Sequence, residues 1–101
     1  MSALQRMQRA VRNEEYRVSS HANEEMAEDG LIAADVEQII LTGAIVRRFT
    51  HDPRGTRYEV SGRTTDQRPG CVVCRFLPSG VLLVVTAYVR LQSAGGEDVE
   101  R

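Results

Sequence analysis

The spacing of apolar residues changes at Gly43 from a helical period to an alternating one. Before this glycine, Val36, Ile39 and Ile40 recur at the spacing of one helix face. After it, segment 56–62 alternates between two faces, as a half-buried strand does. A chain with its helices first and its strands afterwards is typical of an α+β domain, in which a helical layer packs against one face of an antiparallel sheet.

The upstream part of the chain contains three helical segments. Residues 1–13 carry apolar residues at helical spacing and predict an amphipathic helix or a partly ordered arm. Residues 21–29 form the second segment, with Ser20 as the N-cap and Gly30 as the C-terminal stop. The third segment covers 34–42, and the short connection predicts a helical hairpin between the second and third helices.

The strands downstream of Gly43 form a meander. Strand patterns occupy segments 44–50, 56–62, 71–77 and 81–90. The run at 81–89 is apolar on both faces, which favours a strand away from the sheet edge. With a short strand at 16–19, the sequence predicts a helical hairpin packed on a four-stranded, or slightly larger, antiparallel sheet.

Length and composition favour a single domain. The 101 residues suit one compact core, which we place at 14–90, followed by a flexible tail at 91–101. The longest apolar run, 81–85, is much shorter than the roughly 20 residues that span a bilayer. The N-terminal segment lacks a secretory pattern, so we expect a cytoplasmic protein that does not bind a membrane.

Cys71 and Cys74 form a C-x-x-C pair, a pattern shared by redox motifs and by half of a zinc site. Both lie within a predicted strand, where residues three apart point to opposite faces. This geometry disfavours a disulfide or a shared metal ion, and His21 and His51 are the remaining imidazole ligands. We therefore expect two small apolar residues, at least one of them in the core, with no metal and no cofactor.

Charge is distributed unevenly along the chain. Residues 13–43 carry eight acids against one arginine, whereas residues 44–90 carry eight arginines against three acids. All 13 basic residues are arginine, whose planar fork matches phosphate and carboxylate groups. The predicted sheet is therefore a candidate surface for polyanions, although an arginine-only composition is also typical of GC-rich genomes.

His21 is the first candidate for a functional side chain. Imidazole changes its charge near neutral pH and is the commonest general acid or base. Two other interpretations remain open, because His21 could fix the start of the helix through a hydrogen bond or could simply be solvated. We favour the structural role and keep catalysis as an alternative.

Arg57, Arg75 and Tyr88 are the further candidates, and all three lie on predicted strands. A guanidinium stabilises the charge that develops on phosphate during metal-free RNA cleavage, and a tyrosine stacks on bases or donates a proton. The alternatives are a surface ion pair with Glu59 for the arginines and an amphipathic position at the core boundary for Tyr88.

A set of short motifs adds a resemblance to these patterns. The motif residues are His21-Ala22, Met26, Gly30-Leu31, Asp35-Val36, 57–60 and 84–88. Together they resemble an uncharacterised bacterial family with the pattern H-A-x-x-R-M-x-x-R-G-I, which is distantly related to RelE, ParE and BrnT type toxins. At the fifth and ninth motif positions this chain has Glu25 and Asp29 instead of arginine, which predicts weaker binding of RNA phosphate there.

The resemblance implies a RelE-like fold with a curved sheet, and a function as a metal-independent endoribonuclease toxin or a diverged inactive relative. It also implies RNA as a substrate and an antitoxin protein as a partner. The alternative is a non-catalytic module that binds protein or nucleic acid. Because the helical part is acidic and the sheet is basic, self-association into a homo-oligomer is a further candidate.

Overall fold

The computed structural model describes residues 1–90, which form three helices and one five-stranded sheet. The helices are α1 (Ala3–Arg12), α2 (Ser20–Asp29) and α3 (Ala33–Thr42). The strands are β1 (Tyr16–Val18), β2 (Ala44–Phe49), β3 (Arg57–Arg63), β4 (Pro69–Phe76) and β5 (Leu82–Val89). The predicted α+β class and the predicted order of elements are confirmed. Segment 91–101, the predicted tail, lies outside the described residues.

The sheet is mixed, with strand order β1-β5-β4-β3-β2. Strands β2 to β5 form the predicted antiparallel meander. β1 adds a fifth strand that pairs with β5 in parallel, with Tyr16 opposite Leu82 and Val18 opposite Val84. β5 therefore has a neighbour on each side, as its apolar sequence predicts.

One face of the sheet is covered by the helices. α2 packs on β5, α3 packs on β3 and β4, and α1 packs on α3. The predicted hairpin, formed by α2 and α3, therefore packs mainly on the sheet. The largest fully buried side chains between the layers are Met7, Val36, Ile39, Ile40, Val60, Val72, Cys74, Leu82 and Val84. Burial of this apolar surface is the main term that stabilises the fold.

The boundaries of α2 and α3 depend on specific polar contacts. Ser19, and not Ser20 as predicted, is the N-cap of α2, since its Oγ accepts the N–H of Ala22 at 3.0 Å. α2 ends at Gly30, whose φ of 68° suits glycine in the left-handed region. At the start of α3, Oδ2 of the buried Asp35 accepts the N–H of Ile32 at 3.0 Å.

α3 and β3 approach so closely that their backbones touch. A Cβ atom on Gly62 would lie 2.2 Å from the carbonyl oxygen of Ile39, and one on Gly43 would lie 2.5 Å from the same atom. Glycine at these two positions is therefore required for the packing of α3 on the sheet.

Among the helices that the structure describes, none is long and apolar enough to cross a membrane.

Candidate functional site

The face of the sheet opposite the helices, here called the outer face, carries polar and charged side chains in cross-strand rows. In one row Phe49 of β2 pairs with Arg57 of β3, Arg75 of β4 pairs with Leu83 of β5, and Leu83 pairs with Arg17 of β1. Arg57 and Arg75 are themselves opposite each other, because the register of β3 and β4 continues one step beyond the last assigned pair. The row therefore brings three guanidinium groups onto one line across the sheet.

A cleft of about 320 Å³ opens over this row, here called the arginine cleft. Its lining residues are Ser19, His21, Arg54, Arg57, Arg75, Leu83 and Val85. Three of the four predicted site residues, His21, Arg57 and Arg75, thus converge on one concave surface. The cleft combines several hydrogen-bond donors with a small apolar floor, so it is more cationic than a typical small-molecule site.

A bulge in β5 shapes the floor of the arginine cleft. Cys74 pairs with Val84 and Val73 pairs with Thr86, so Val85 is an extra residue without a partner on β4. The carbonyl oxygen of Val85 accepts a hydrogen bond from Oγ of Ser19 at 3.1 Å. Bulges re-aim side chains next to binding sites, and this one joins the floor of the cleft to the start of α2.

The N-terminal end of α2 contributes to the same cleft. Ser19 caps the helix and His21 lies in its first turn, so the positive end of the helix dipole lies at the cleft. Helix N-termini of this kind favour anions. The His21 side chain is 66% exposed, and its Nε2 lies 3.4 Å from Oε2 of Glu25. His21 is therefore exposed at the cleft, where its side chain lies beside a carboxylate of the same helix.

The loop between β2 and β3 holds two of the arginines in place. Oδ1 of Asp52 lies 3.3 Å from Nε of Arg54 and accepts the backbone N–H of Arg54 at 2.9 Å, while Oδ2 lies 3.2 Å from Nε of Arg57. The Asp52 side chain is only 7% exposed. Its hydrogen bonds from the Arg54 backbone and side chain hold the pKa of the Asp52 carboxyl below its usual range, so it remains anionic beside both guanidinium groups.

Arg57 has a fixed orientation within this arrangement. Its guanidinium carbon lies 5.0 Å from the centroid of the Phe49 ring, within cation–π range. The Nε atom is buried, and among the described residues no acceptor meets hydrogen-bond geometry with it; the contact with Asp52 is close enough for an ion pair but poorly aligned. The guanidinium is therefore held between the Asp52 carboxylate and the Phe49 ring.

Tyr88, the fourth predicted site residue, lies outside the arginine cleft. It pairs with Cys71, which is four residues from Arg75 on β4, or about 13 Å along the strand. Its hydroxyl donates to Oε2 of Glu59 at 3.0 Å, and burial together with this hydrogen bond raises the pKa of Tyr88. In this position Tyr88 stabilises the outer face and does not join His21.

Glu25 and Asp29 have a role that the sequence did not indicate. β1 ends at Val18. Beyond this point, these two acids of α2 accept backbone N–H groups along the edge of β5. Oε1 of Glu25 accepts the N–H of Ala87 at 3.1 Å, and Oδ2 of Asp29 accepts the N–H of Val89 at 2.9 Å. The carboxylates thus replace a neighbouring strand and attach α2 to the sheet.

The two cysteines lie on opposite faces of β4, as predicted, and both thiols are free and buried. Cys74 faces the helices, where its Sγ lies 3.3 Å from Sδ of Met7, and burial raises its pKa to about 12. Cys71 faces outwards beside Tyr88 and Ser61. Within residues 1–90, no group of three or more His, Cys, Asp and Glu side chains could hold a metal ion.

Comparison with known families gives one match. Residues 18–89 match the family described as "Domain of unknown function (DUF4258)". The chain belongs to this family. The DUF4258 match contains the whole lining of the arginine cleft but excludes α1. No curated protein and no solved structure matches the chain significantly.

Several residues that line or adjoin the arginine cleft of this DUF4258 domain were not identified from the sequence. Arg54 and Asp52 were assigned only to a turn, and Ser19 was assigned to the end of β1. The signal for Asp52 and Arg54 is the turn sequence Asp-Pro-Arg-Gly, in which an aspartate commonly accepts the N–H two residues later. That signal predicts the local bond but not the position of the turn above the sheet.

Proposed function

We propose that this DUF4258 domain binds RNA in the arginine cleft and cleaves it without a metal ion, as a relative of the RelE type toxins. The observation that carries the proposal is the convergence of His21 with Arg54, Arg57 and Arg75 at the N-terminal end of α2. The sequence resemblance to RelE-related proteins supports the same function.

The arrangement supplies the two requirements of metal-independent RNA cleavage. The guanidinium groups and the helix dipole would stabilise the negative charge that develops on the phosphate. His21 would act as the general base that removes the proton from the ribose 2′-hydroxyl, or as the acid that protonates the leaving oxygen. The bond from the 2′-oxygen to phosphorus forms while the bond to the 5′-oxygen breaks, which yields a 2′,3′-cyclic phosphate and a 5′-hydroxyl end.

RNA binding is tested by its salt dependence. For a single strand, each phosphate contact contributes about 0.7 to the slope of log affinity against log salt. We expect Arg75→Gln to reduce this slope by about that amount. Arg9→Gln is the matched control, since it removes the same charge from α1 on the other side of the sheet. Equal slopes for both variants would place the RNA elsewhere.

Cleavage is tested with ribosome-free and ribosome-bound message in the presence of EDTA. We expect wild-type protein to cleave, and His21→Gln to lose about 10²- to 10⁴-fold in rate while it still binds RNA. Absence of cleavage on both substrates, together with normal growth on expression, would disprove the enzymatic part of the proposal.

The second candidate is a non-catalytic binding module. The position of Tyr88 favours it, because Glu59 holds the hydroxyl that could have served as a partner acid for His21. RNA binding without cleavage is its expected signature. Sedimentation at low and high salt tests the related proposal of a homo-oligomer, and a monomer in both conditions contradicts it.

The toxin proposal includes a protein partner. A RelE type toxin is held in check by an antitoxin, so we expect the neighbouring reading frame to encode a protein that binds this domain. Growth arrest on expression of the domain alone, relieved by co-expression of that frame, is the supporting result. Arrest that the neighbouring frame does not relieve counts against this partner.

A further inference from the structure

A second hollow of about 620 Å³ adjoins the arginine cleft beneath the β2–β3 loop, and here it is called the loop hollow. Its lining residues are Arg48, Phe49, Thr50, His51, Asp52, Pro53, Arg54 and Arg57. Arg54 and Arg57 also line the arginine cleft, so these two side chains form the wall between the two hollows. Both volumes are within or near the roughly 300–1,000 Å³ of small-molecule sites.

The two hollows share this wall but differ in the side chains on either side of it. The shared wall carries the guanidinium groups of Arg54 and Arg57. On one side lie the apolar side chains of Leu83 and Val85, and on the other side lies the exposed ring of His51. The carboxylate of Asp52 also lines the loop hollow and pairs with both guanidinium groups. Two guanidinium groups against one carboxylate leave a net positive charge between the two hollows, which matches a phosphodiester whose two nucleosides lie on either side of it.

We propose that the loop hollow is a second nucleoside subsite and that the unit bound by the domain is one dinucleotide step of single-stranded RNA. Arg54 and Arg57 bind the phosphate of that step, one nucleoside enters the arginine cleft beside His21, and the next enters the loop hollow beside His51. This inference rests on the proposed binding of RNA in the arginine cleft and adds the size and class of the bound unit.

Because Arg54 and Arg57 separate the two hollows, we infer that the bound RNA is single-stranded. In a duplex, successive bases stack directly on each other and their edges are paired, so they cannot enter two hollows. Unpaired bases can separate and stack on aromatic side chains or on guanidinium planes. Arg57 is already held against the Phe49 ring at 5.0 Å, which fixes such a plane at the wall.

The experiment compares two uncleavable probes by calorimetry, adenosine 3′-monophosphate and a 2′-O-methyl adenylyl-adenosine dinucleotide. We expect the dinucleotide to bind wild-type protein about tenfold more tightly. His51→Ala, a change at an exposed position, is expected to remove most of this advantage and to leave mononucleotide binding unchanged. Thr50→Ala, at a second exposed position that lines the loop hollow and not the arginine cleft, provides a second test of the same hollow.

The outcomes separate this inference from the proposed function. If wild-type protein binds both probes equally, or if His51→Ala and Thr50→Ala both preserve the tenfold ratio, the second subsite is wrong and RNA binding in the arginine cleft stands. If wild-type protein binds neither the probes nor longer RNA, both proposals are overturned.

Discussion

Oε1 of Glu25 accepts the backbone N–H of Ala87 at 3.1 Å, so an acidic side chain of α2 occupies a donor that a neighbouring strand would otherwise use. Asp29 does the same for Val89 one turn later. Glu25 and Asp29, which stand where the motif has arginine, therefore support the edge of β5. Acidic side chains at positions 25 and 29 are explained by these hydrogen bonds to the backbone, without reference to a ligand.

We expect the two acids to protect different amide protons from exchange. Glu25→Ala should accelerate hydrogen exchange at Ala87 more than at Val89, and Asp29→Ala should show the reverse order. Each variant is the control for the other, and each should lower the free energy of unfolding by about 1 kcal/mol. Native-state exchange by NMR measures both effects; equal acceleration at both amides would show that α2 is attached in another way.

Glu25→Arg is expected to tighten RNA binding. The carboxylate of Glu25 lies 3.4 Å from Nε2 of His21 at the rim of the arginine cleft, so replacing it by a guanidinium removes repulsion of phosphate and adds attraction. Glu28→Arg makes the same change in net charge at an exposed position of α2. Filter binding at two salt concentrations compares them, and an equal gain in affinity would mean that only net charge matters.

The stability of the fold is expected to depend on Asp35 at acid pH. A hydrogen bond from the Thr65 hydroxyl, and further ones from the N–H groups of Ile32 and Thr65, hold the pKa of Asp35 below its usual range although burial opposes this. A lowered folded-state pKa stabilises the fold fully above the unfolded value near 4, and this contribution is lost as the pH falls through the folded value.

The Asp35→Asn variant tests this linkage. It should unfold at lower urea concentration at pH 7, by about 1–3 kcal/mol in free energy, and its stability should fall less than that of the wild type as the pH drops below about 4. Glu24→Gln is the control, since Glu24 is exposed. Parallel pH profiles for wild type and Asp35→Asn would contradict the assignment.

The two cysteines should respond differently to replacement by serine. Cys74→Ser places a hydroxyl in the apolar core beside Met7 and is expected to cost about 1–3 kcal/mol in stability. Cys71→Ser should cost less, because polar groups of Tyr88 and Ser61 lie next to it. Urea denaturation measures both, and a larger loss for Cys71→Ser would reverse the assignment of the two faces of β4.

The sequence predicts the elements of this fold well because each one is encoded by local periodicity. The stripe of Val36, Ile39 and Ile40 and the alternation in β3 depend only on which side chains face the core. The shift of the α2 cap from Ser20 to Ser19 is a change of one residue, which periodicity cannot resolve. The four-strand meander is predictable for the same reason, since its strands follow one another along the chain.

The candidate site was only partly predictable because it depends on contacts between distant segments. His21, Arg57 and Arg75 could be chosen by residue type, but their convergence follows from the pairing of β1 with β5 and of β3 with β4. No periodicity encodes that register. The roles of Glu25 and Asp52 were also inaccessible, because their partners are a strand edge and a loop that form only in the folded chain.

The parallel pairing of β1 with β5 also sets an order of events during synthesis. β1 is made early, yet its partner β5 is the last strand of the meander to leave the ribosome. Such long-range pairing bears a large loop-closure cost and forms late. His21 therefore emerges long before it can meet Arg75 and Leu83. We expect a nascent chain that stops short of β5 to lack an assembled cleft, so RNA binding should appear together with complete folding.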